Sequence, residues 1–97
     1  MKILILEQAL DELKDAVEYY EDQQNGLGLK LKEEVDYHVT WIFYNSKSPR
    51  LRSGGYRRVN LKIFPFYIAY SIKKDVIWIV AIAHGYRKPK YWIQRKI

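Results

Sequence analysis

The segment that most constrains the fold is the run Val76–Ala83, VIWIVAIA, which is apolar at nearly every position. A strand of this kind must be covered on both faces, because otherwise a row of apolar side chains would meet water. We therefore predict that Val76–Ala83 is the central strand of a sheet and the most buried segment. The rest of the chain must then provide the layers that cover it.

Two amphipathic helices are predicted in the first half. The apolar positions of the first recur at three- and four-residue steps and share one face: Leu6, Leu10, Leu13, Val17 and Tyr20. The second shows the same spacing: Leu27, Leu31, Val35, His38/Val39 and Ile42. Residues 24–28, QNGLG, interrupt the pattern, so we expect an antiparallel helix hairpin. His38 and the pair Tyr19-Tyr20 are predicted to pack inside. The acids of the first helix are predicted to be solvated: Glu7, Asp11, Glu12, Asp15 and Glu18.

The remaining elements are predicted to be strands. Residues 2–6 favour a short strand, and 45–55 are irregular. In Tyr56–Phe64 the side chains of Val59, Leu61 and Ile63 are expected to point one way, and those of Tyr56, Arg58, Asn60 and Lys62 the other. Arg57 would then share the apolar face and Arg58 the opposite one. Phe66–Ile72 forms the next strand. The order is β-α-α-β-β-β, an α+β fold in which the hairpin packs on one face of a small, mainly antiparallel sheet. Residues 1–97 are expected to form one domain.

Charge divides the chain into two halves. Residues 1–48 carry 5 Lys/Arg and 10 Asp/Glu, whereas residues 49–97 carry 12 Lys/Arg and a single acid, Asp75. Such asymmetry indicates two faces with different partners, and the basic half suits nucleic acid or an acidic protein. The alternative is that the helices simply carry acidic solvated faces, in which case the charge indicates no partner.

Several classes of site are not expected. The chain has no cysteine, which rules out disulfides and thiolate metal sites and fits a cytoplasmic protein. Its two histidines, His38 and His84, lie far apart in sequence without a shared carboxylate spacing, so no metal is predicted. No glycine-rich phosphate loop follows a strand, and no cofactor is predicted. No segment approaches the roughly 20 apolar residues of a membrane span, so no membrane partner is expected.

Three stretches of the sequence resemble the RelE/ParE toxin superfamily. ALDELKDAVEYYEDQQNGLGLKLKEEV (9–35) is similar to the family's first helix and its Gly-Leu-Gly turn. GGYRRVNLKIFPFYIAYSI (54–72) is similar to its Arg-Arg strand and Phe-Pro-Phe corner, and DVIWIVAIAHGYRKPKYWIQR (75–95) to its last strand and tail. The resemblance implies the growth-inhibiting toxin of a type II toxin–antitoxin system, of the kind that serves plasmid stabilisation, with a cognate antitoxin as partner.

The resemblance leaves the target open. Members of the ParE branch are implied to bind DNA gyrase, and the long hairpin, the Gly-Leu-Gly turn and the His-x-x-Arg-x-Pro tail favour that branch. RelE-type members are implied to be ribosome-dependent, metal-independent mRNA endoribonucleases. A third reading is a non-toxic module that keeps the fold and the antitoxin contacts.

Candidate site residues follow from these readings. In a ribonuclease, the resemblance implies arginines on the first meander strand for the scissile phosphate and an acid–base group near the end of the last strand. The residues here would be Arg57, Arg58, His84, Tyr86 and Arg87. The alternatives are a salt bridge from the arginines to the first helix and a backbone hydrogen bond for His84.

A protein-binding toxin would instead use exposed cations among the aromatic residues of the basic half. The candidates for target binding are Arg58, Lys62, Arg87, Lys88, Lys90 and Arg95. The tail mixes these cations with rings, which suits single-stranded nucleic acid but also suits a tail folded back onto the sheet. For Trp92 we expect the fold-back, because a tryptophan is costly to leave exposed.

Overall fold

The computed structural model describes residues 1–97 and contains two helices and four strands in the predicted order. They are β1 (Lys2–Ile5), α1 (Glu7–Gln23), α2 (Leu27–Tyr44), β2 (Arg57–Asn60), β3 (Phe66–Lys73) and β4 (Val76–His84). The strands form one sheet in the order β1-β4-β3-β2, in which only the β1–β4 pair is parallel. The α+β prediction is confirmed, and Val76–Ala83 lies within the central strand β4.

The main core lies between the helix hairpin and one face of the sheet. Each predicted helical stripe faces this core, and the sheet contributes Ile68, Tyr70, Ile77, Ile79 and Ile82. Two alanines, Ala9 and Ala16, are the most deeply buried residues of α1, where small side chains let the helix lie close to β4. His38 is buried as predicted, and its Nδ1 donates to the Glu34 carbonyl oxygen at 2.8 Å. Tyr20 packs against the core as predicted, but the prediction for Tyr19 is wrong, since this side chain is 60% exposed.

The turn between the helices depends on two glycines and one carboxylate. Gly26 adopts φ 87°, a left-handed conformation that glycine accepts without strain. The Glu21 carboxylate accepts hydrogen bonds from the Gly26 and Gly28 amides at 2.9 and 3.1 Å. A Cβ at Gly28 would lie 2.5 Å from the Val17 carbonyl oxygen, so only glycine lets the helices approach this closely.

Strand β4 contains a bulge at its middle. Ala81 pairs with Ala69 and Ile79 pairs with Tyr70, which leaves Val80 without a partner on β3. Strand β1 ends its pairing at Ile79, so the second half of β4 has no neighbouring strand on that side. This half edge leaves backbone groups that other parts of the chain must satisfy.

The first meander strand is shorter than predicted. The alternation of Tyr56–Phe64 suggested one strand, but β2 ends at Asn60 and Ile63 is 75% exposed instead of facing the core. The reason is Glu34, which is buried on α2 and accepts hydrogen bonds from the amides of Lys62, Ile63 and Phe64. A carboxylate that collects three consecutive N–H groups bends the backbone into a loop, which removes these amides from any strand pairing.

Candidate functional site

The C-terminal tail, residues 85–97, returns over the sheet face that lies opposite the helices, called here the open face. Trp92 is only 2% exposed and packs edge-on against the ring of Tyr56, with 4.7 Å between centroids. Its indole Nε1 donates to the Tyr67 hydroxyl oxygen at 2.9 Å. The predicted fold-back of Trp92 is confirmed, and the tail therefore has a fixed place on the open face.

A second anchor of the tail is Glu12 of α1. Its carboxylate accepts from the Ile82 amide at 3.0 Å, from both terminal nitrogens of Arg95 at 2.9 and 3.1 Å, and from the Tyr91 hydroxyl. Arg95 also donates to the carbonyl oxygen of Val80 at 3.0 Å. These two side chains thus pair with one amide and one carbonyl oxygen on the half edge of β4 that β1 leaves open.

Burial and the Glu12 partner shift the titration of this cluster. The pKa of Tyr91 rises to about 12, mainly through burial and then through donation to the Glu12 carboxylate. The pKa of Arg95 is also raised, because its charged form donates to Glu12. The guanidinium of Arg95 is therefore committed within the chain, which leaves this predicted target-binding residue with few free donors. The prediction that Glu12 is solvated is wrong, since its side chain is only 14% exposed.

Other cations of the tail stay accessible. Arg87 stacks over the Tyr91 ring at 3.7 Å and lies 3.9 Å from Glu12, yet its side chain is 59% exposed. Lys88 and Lys90 are exposed, with Lys90 5.8 Å from the centre of the Tyr56 ring. Tyr86 is 90% exposed. Residues 86–90 of the tail thus present three cations and one aromatic ring to solvent from a fixed backbone.

The two arginines of β2 point to different faces of the sheet. Arg57 lies on the helix side and donates to the Pro49 carbonyl oxygen at 3.0 Å. Arg58 lies on the open face, 3.9 Å above the Tyr67 ring, and donates to Asn60 Oδ1. Neither arginine bonds to the first helix, so the alternative of a salt bridge there is not what the structure shows. Lys62 is exposed on the loop that Glu34 holds.

His84 lies on the helix side of the sheet, away from Arg58. Its ring packs edge-on against Phe66, with 5.0 Å between centroids, and its Nδ1 accepts the Tyr86 amide at 3.1 Å. This is the backbone hydrogen bond considered as the alternative to an acid–base role. His84 and Arg87 line one groove along α1, whereas Arg58 and Tyr86 line another. The His84 ring also lies 5.3 Å from the Tyr86 ring, measured between centroids. Of the five residues suggested for a ribonuclease, His84 thus lies beside Tyr86 and Arg87, whereas Arg57 and Arg58 do not share its groove.

Three residues that shape this surface were missed by reasoning from the sequence: Glu12, Glu34 and Tyr67. Glu12 lies three residues after Ala9 and four before Ala16, so the spacing places it on one face with two small apolar residues, and the structure shows that this face is buried. For Glu34 the corresponding signal is its place between Leu31 and Val35. A carboxylate on a buried helix face needs a donor, and the basic half supplies one.

Neither a metal-binding cluster nor a membrane-spanning helix is present. No group of three or more His, Cys, Asp or Glu side chains is arranged to hold a metal ion. Of the two helices, neither combines the length and the apolar character that crossing a lipid bilayer requires.

The fold places the chain in a known structural class. A chain in the solved structure "Chromosomal ParDE TA system from P. aeruginosa" matches with a TM-score of 0.76 at 20% identity, covering 87% of this chain and 95% of that one. At this identity the likeness shows the β-α-α-β-β-β fold alone. No curated protein matches the sequence.

The family follows from the sequence itself. The model of the family described as "ParE toxin of type II toxin-antitoxin system, parDE" matches residues 3–89. The chain belongs to this ParE toxin family, which confirms the resemblance and its ParE branch.

Proposed function

We propose that this ParE-family toxin inhibits growth by binding DNA gyrase through the exposed cations of the tail and the half-buried Arg58 of the open face, and that its toxicity needs no acid–base chemistry. The observation that carries the proposal is the separation of His84, the only histidine of the basic half, from Arg58 on the other face of the sheet. A cleavage site would need a proton-transferring group beside the cations that hold the phosphate.

The contact surface of the proposal consists of cations held over aromatic rings. Arg58 over Tyr67 and Arg87 over Tyr91 lose little side-chain freedom on binding, because each guanidinium is already placed by its ring. Lys88, Lys90 and Lys62 add charge around them, which favours encounter with an acidic protein surface. Arg95 contributes to this surface only by holding the tail.

We further propose that a cognate antitoxin covers this surface. Antitoxin partnership follows from membership of a type II family, and an extended acidic segment would match the cations of the open face. Binding there would block the contacts that gyrase needs. The antitoxin would therefore neutralise the toxin by occupying the same cations.

The alternative of a ribosome-dependent mRNA endoribonuclease has one observation in its favour. Arg58 and the exposed ring of Tyr86 line the same depression, and an arginine beside an open ring suits an unstacked RNA base. Cleavage there would depend on a group other than His84. The two readings therefore differ in which substitutions remove toxicity.

Growth arrest by single-site variants tests the proposal. We expect His84→Gln to keep toxicity within about threefold, whereas loss of a general acid–base group would cost about 10²–10⁴-fold in rate. Reversing two exposed tail charges with Lys88→Glu/Lys90→Glu should weaken arrest by about 10-fold or more, because contact charges guide and hold the complex. Toxicity is measured as the induction level needed to stop growth.

A matched control is available at the other end of β4. Lys73→Glu/Lys74→Glu reverses the same number of exposed charges, and each pair includes one lysine at positive φ, Lys90 at 61° and Lys74 at 51°. This control should remain toxic. Loss of toxicity in folded His84→Gln, together with loss of mRNA cleavage, would overturn the proposal, and so would full toxicity of Lys88→Glu/Lys90→Glu.

A further inference from the structure

The tail that carries the exposed cations has little secondary structure of its own. No helix or strand follows β4, and the backbone bonds within residues 85–97 are isolated turns such as Ile93 N–H to Lys90 oxygen and Arg95 N–H to Trp92 oxygen. Something outside the tail must therefore fix its course. The contacts that do so are those of Trp92 on the open face and those of Glu12 on α1.

The two anchors act on different parts of the tail. Trp92 is held by burial among aromatic rings, which fixes the chain at residue 92, whereas Glu12 holds the chain on either side of it through Tyr91 and Arg95. Glu12 binds the hydroxyl of Tyr91, and the ring of Tyr91 in turn supports the guanidinium of Arg87 at 3.7 Å. Glu12 also lies 3.9 Å from Arg87 itself. The position of Arg87 therefore depends on a residue 75 positions earlier in the chain, by way of Tyr91.

One carboxylate serves two guanidinium groups in this arrangement. Arg95 donates two hydrogen bonds to Glu12 and is 17% exposed, whereas Arg87 makes only the longer contact with Glu12 and stays 59% exposed. Arg95 is thereby used to fasten the tail, and Arg87 keeps donors free for a partner. Glu12 thus binds Arg95 within the chain and leaves Arg87 available to a partner.

We propose that Glu12 is a positioning residue for target binding: it holds residues 87–95 in the course that presents Arg87, Lys88 and Lys90. This inference rests on the proposed function for the identity of the target. Removing the charge at Glu12 should loosen the tail and weaken binding while the hairpin and sheet stay folded. The isosteric change Glu12→Gln keeps a carbonyl oxygen for the Ile82 amide and removes the charge that Arg95 and Arg87 use.

Two measurements on the full chain test the proposal. Amide hydrogen exchange of Ile93 and Arg95 reports tail order, and binding to purified DNA gyrase holoenzyme reports function. We expect exchange at these amides to be about 10- to 100-fold faster in Glu12→Gln, as charge-assisted hydrogen bonds are lost. Gyrase affinity should fall about 10-fold or more. Ile42→Val, which trims the α2 core far from the tail, should lower overall stability but leave affinity within about twofold.

The outcomes separate the positioning role from a merely structural one. Wild-type affinity in Glu12→Gln, or the same affinity loss in Ile42→Val, would overturn the proposal. If Glu12→Gln does not fold, Arg95→Gln removes the other side of the same ion pair without altering α1 and must give the same two results. If wild type itself binds no gyrase, the proposed function fails, and unchanged tail exchange in Glu12→Gln would separately overturn the positioning role.

Discussion

Two carboxylates, that of the buried Glu34 and that of the partly buried Glu12, decide how the acidic and basic halves of the chain fit together. Glu12 and Glu34 both lie on the core side of their helices and both accept backbone amides, of Ile82 and of residues 62–64. Apolar periodicity assigns every glutamate to the solvent side. The amide that Glu12 binds lies 70 positions away in the sequence, and the amides that Glu34 binds lie 28 to 30 positions away. A pattern of local spacing holds no information on such distant donors, so neither role was predictable from the stripes alone.

The loop that Glu34 holds provides a direct test at this scale. Glu34→Ala leaves three amides without their acceptor, and we expect the free energy of unfolding to fall by about 2–3 kcal/mol, the cost of stranding buried donors of this kind. Urea denaturation measures the change. Glu33→Ala, at the exposed neighbouring position, should stay within about 0.5 kcal/mol of wild type. Equal midpoints for the two variants would refute the role given to Glu34.

The positions of some candidate site residues could be predicted from the sequence. The fold-back of Trp92 followed from the cost of exposing its ring, and the structure confirms it. The faces of Arg57 and Arg58 followed from strand alternation. The binding of Arg95 within the chain did not follow, because its partners are Glu12 on α1 and the Val80 carbonyl oxygen, which lies just beyond the end of β1 pairing.

At the scale of elements, periodicity predicted most of the structure. Helical stripes and the apolar run Val76–Ala83 depend on local spacing, and both are found as expected. The end of β2 was missed because Glu34, on another element, interrupts the alternation after Asn60. The bulge at Val80 was missed as well, since a continuous apolar run does not show where one residue leaves the pairing.

The helix hairpin depends on its second glycine. Gly28→Ala would place a Cβ 2.5 Å from the Val17 carbonyl oxygen and 3.0 Å from the Glu21 side chain. Because both distances are too short, the two helices would have to move apart. We expect a loss of about 1–3 kcal/mol, typical of overpacking at a close contact, although alanine itself favours helix. Thermal unfolding followed by circular dichroism measures it. Leu29→Ala, an exposed neighbour on α2, should change stability little, and a Gly28→Ala protein as stable as this control would contradict the packing argument.

In the whole molecule, the residues that hold the tail in place differ from the cations proposed to contact a partner. The acidic hairpin packs on one face of the sheet and fastens the tail through Glu12, while exposed cations of the second half remain free at the open face and on the tail. The resemblance of the sequence predicted this family and fold, and both are confirmed. The target was not predictable in the same way, because proteins that share one fold can present very different surfaces. Target binding also depends on side chains that come together from distant segments of the chain.

The most direct test of gyrase binding as the basis of toxicity uses the purified toxin in two parallel reactions. One contains DNA gyrase and supercoiled DNA, and the other contains ribosomes translating an mRNA. We predict trapped gyrase–DNA cleavage complexes in the first reaction, their loss when the cognate antitoxin is added, and intact mRNA in the second. Cut mRNA with no trapped gyrase complex would contradict the account.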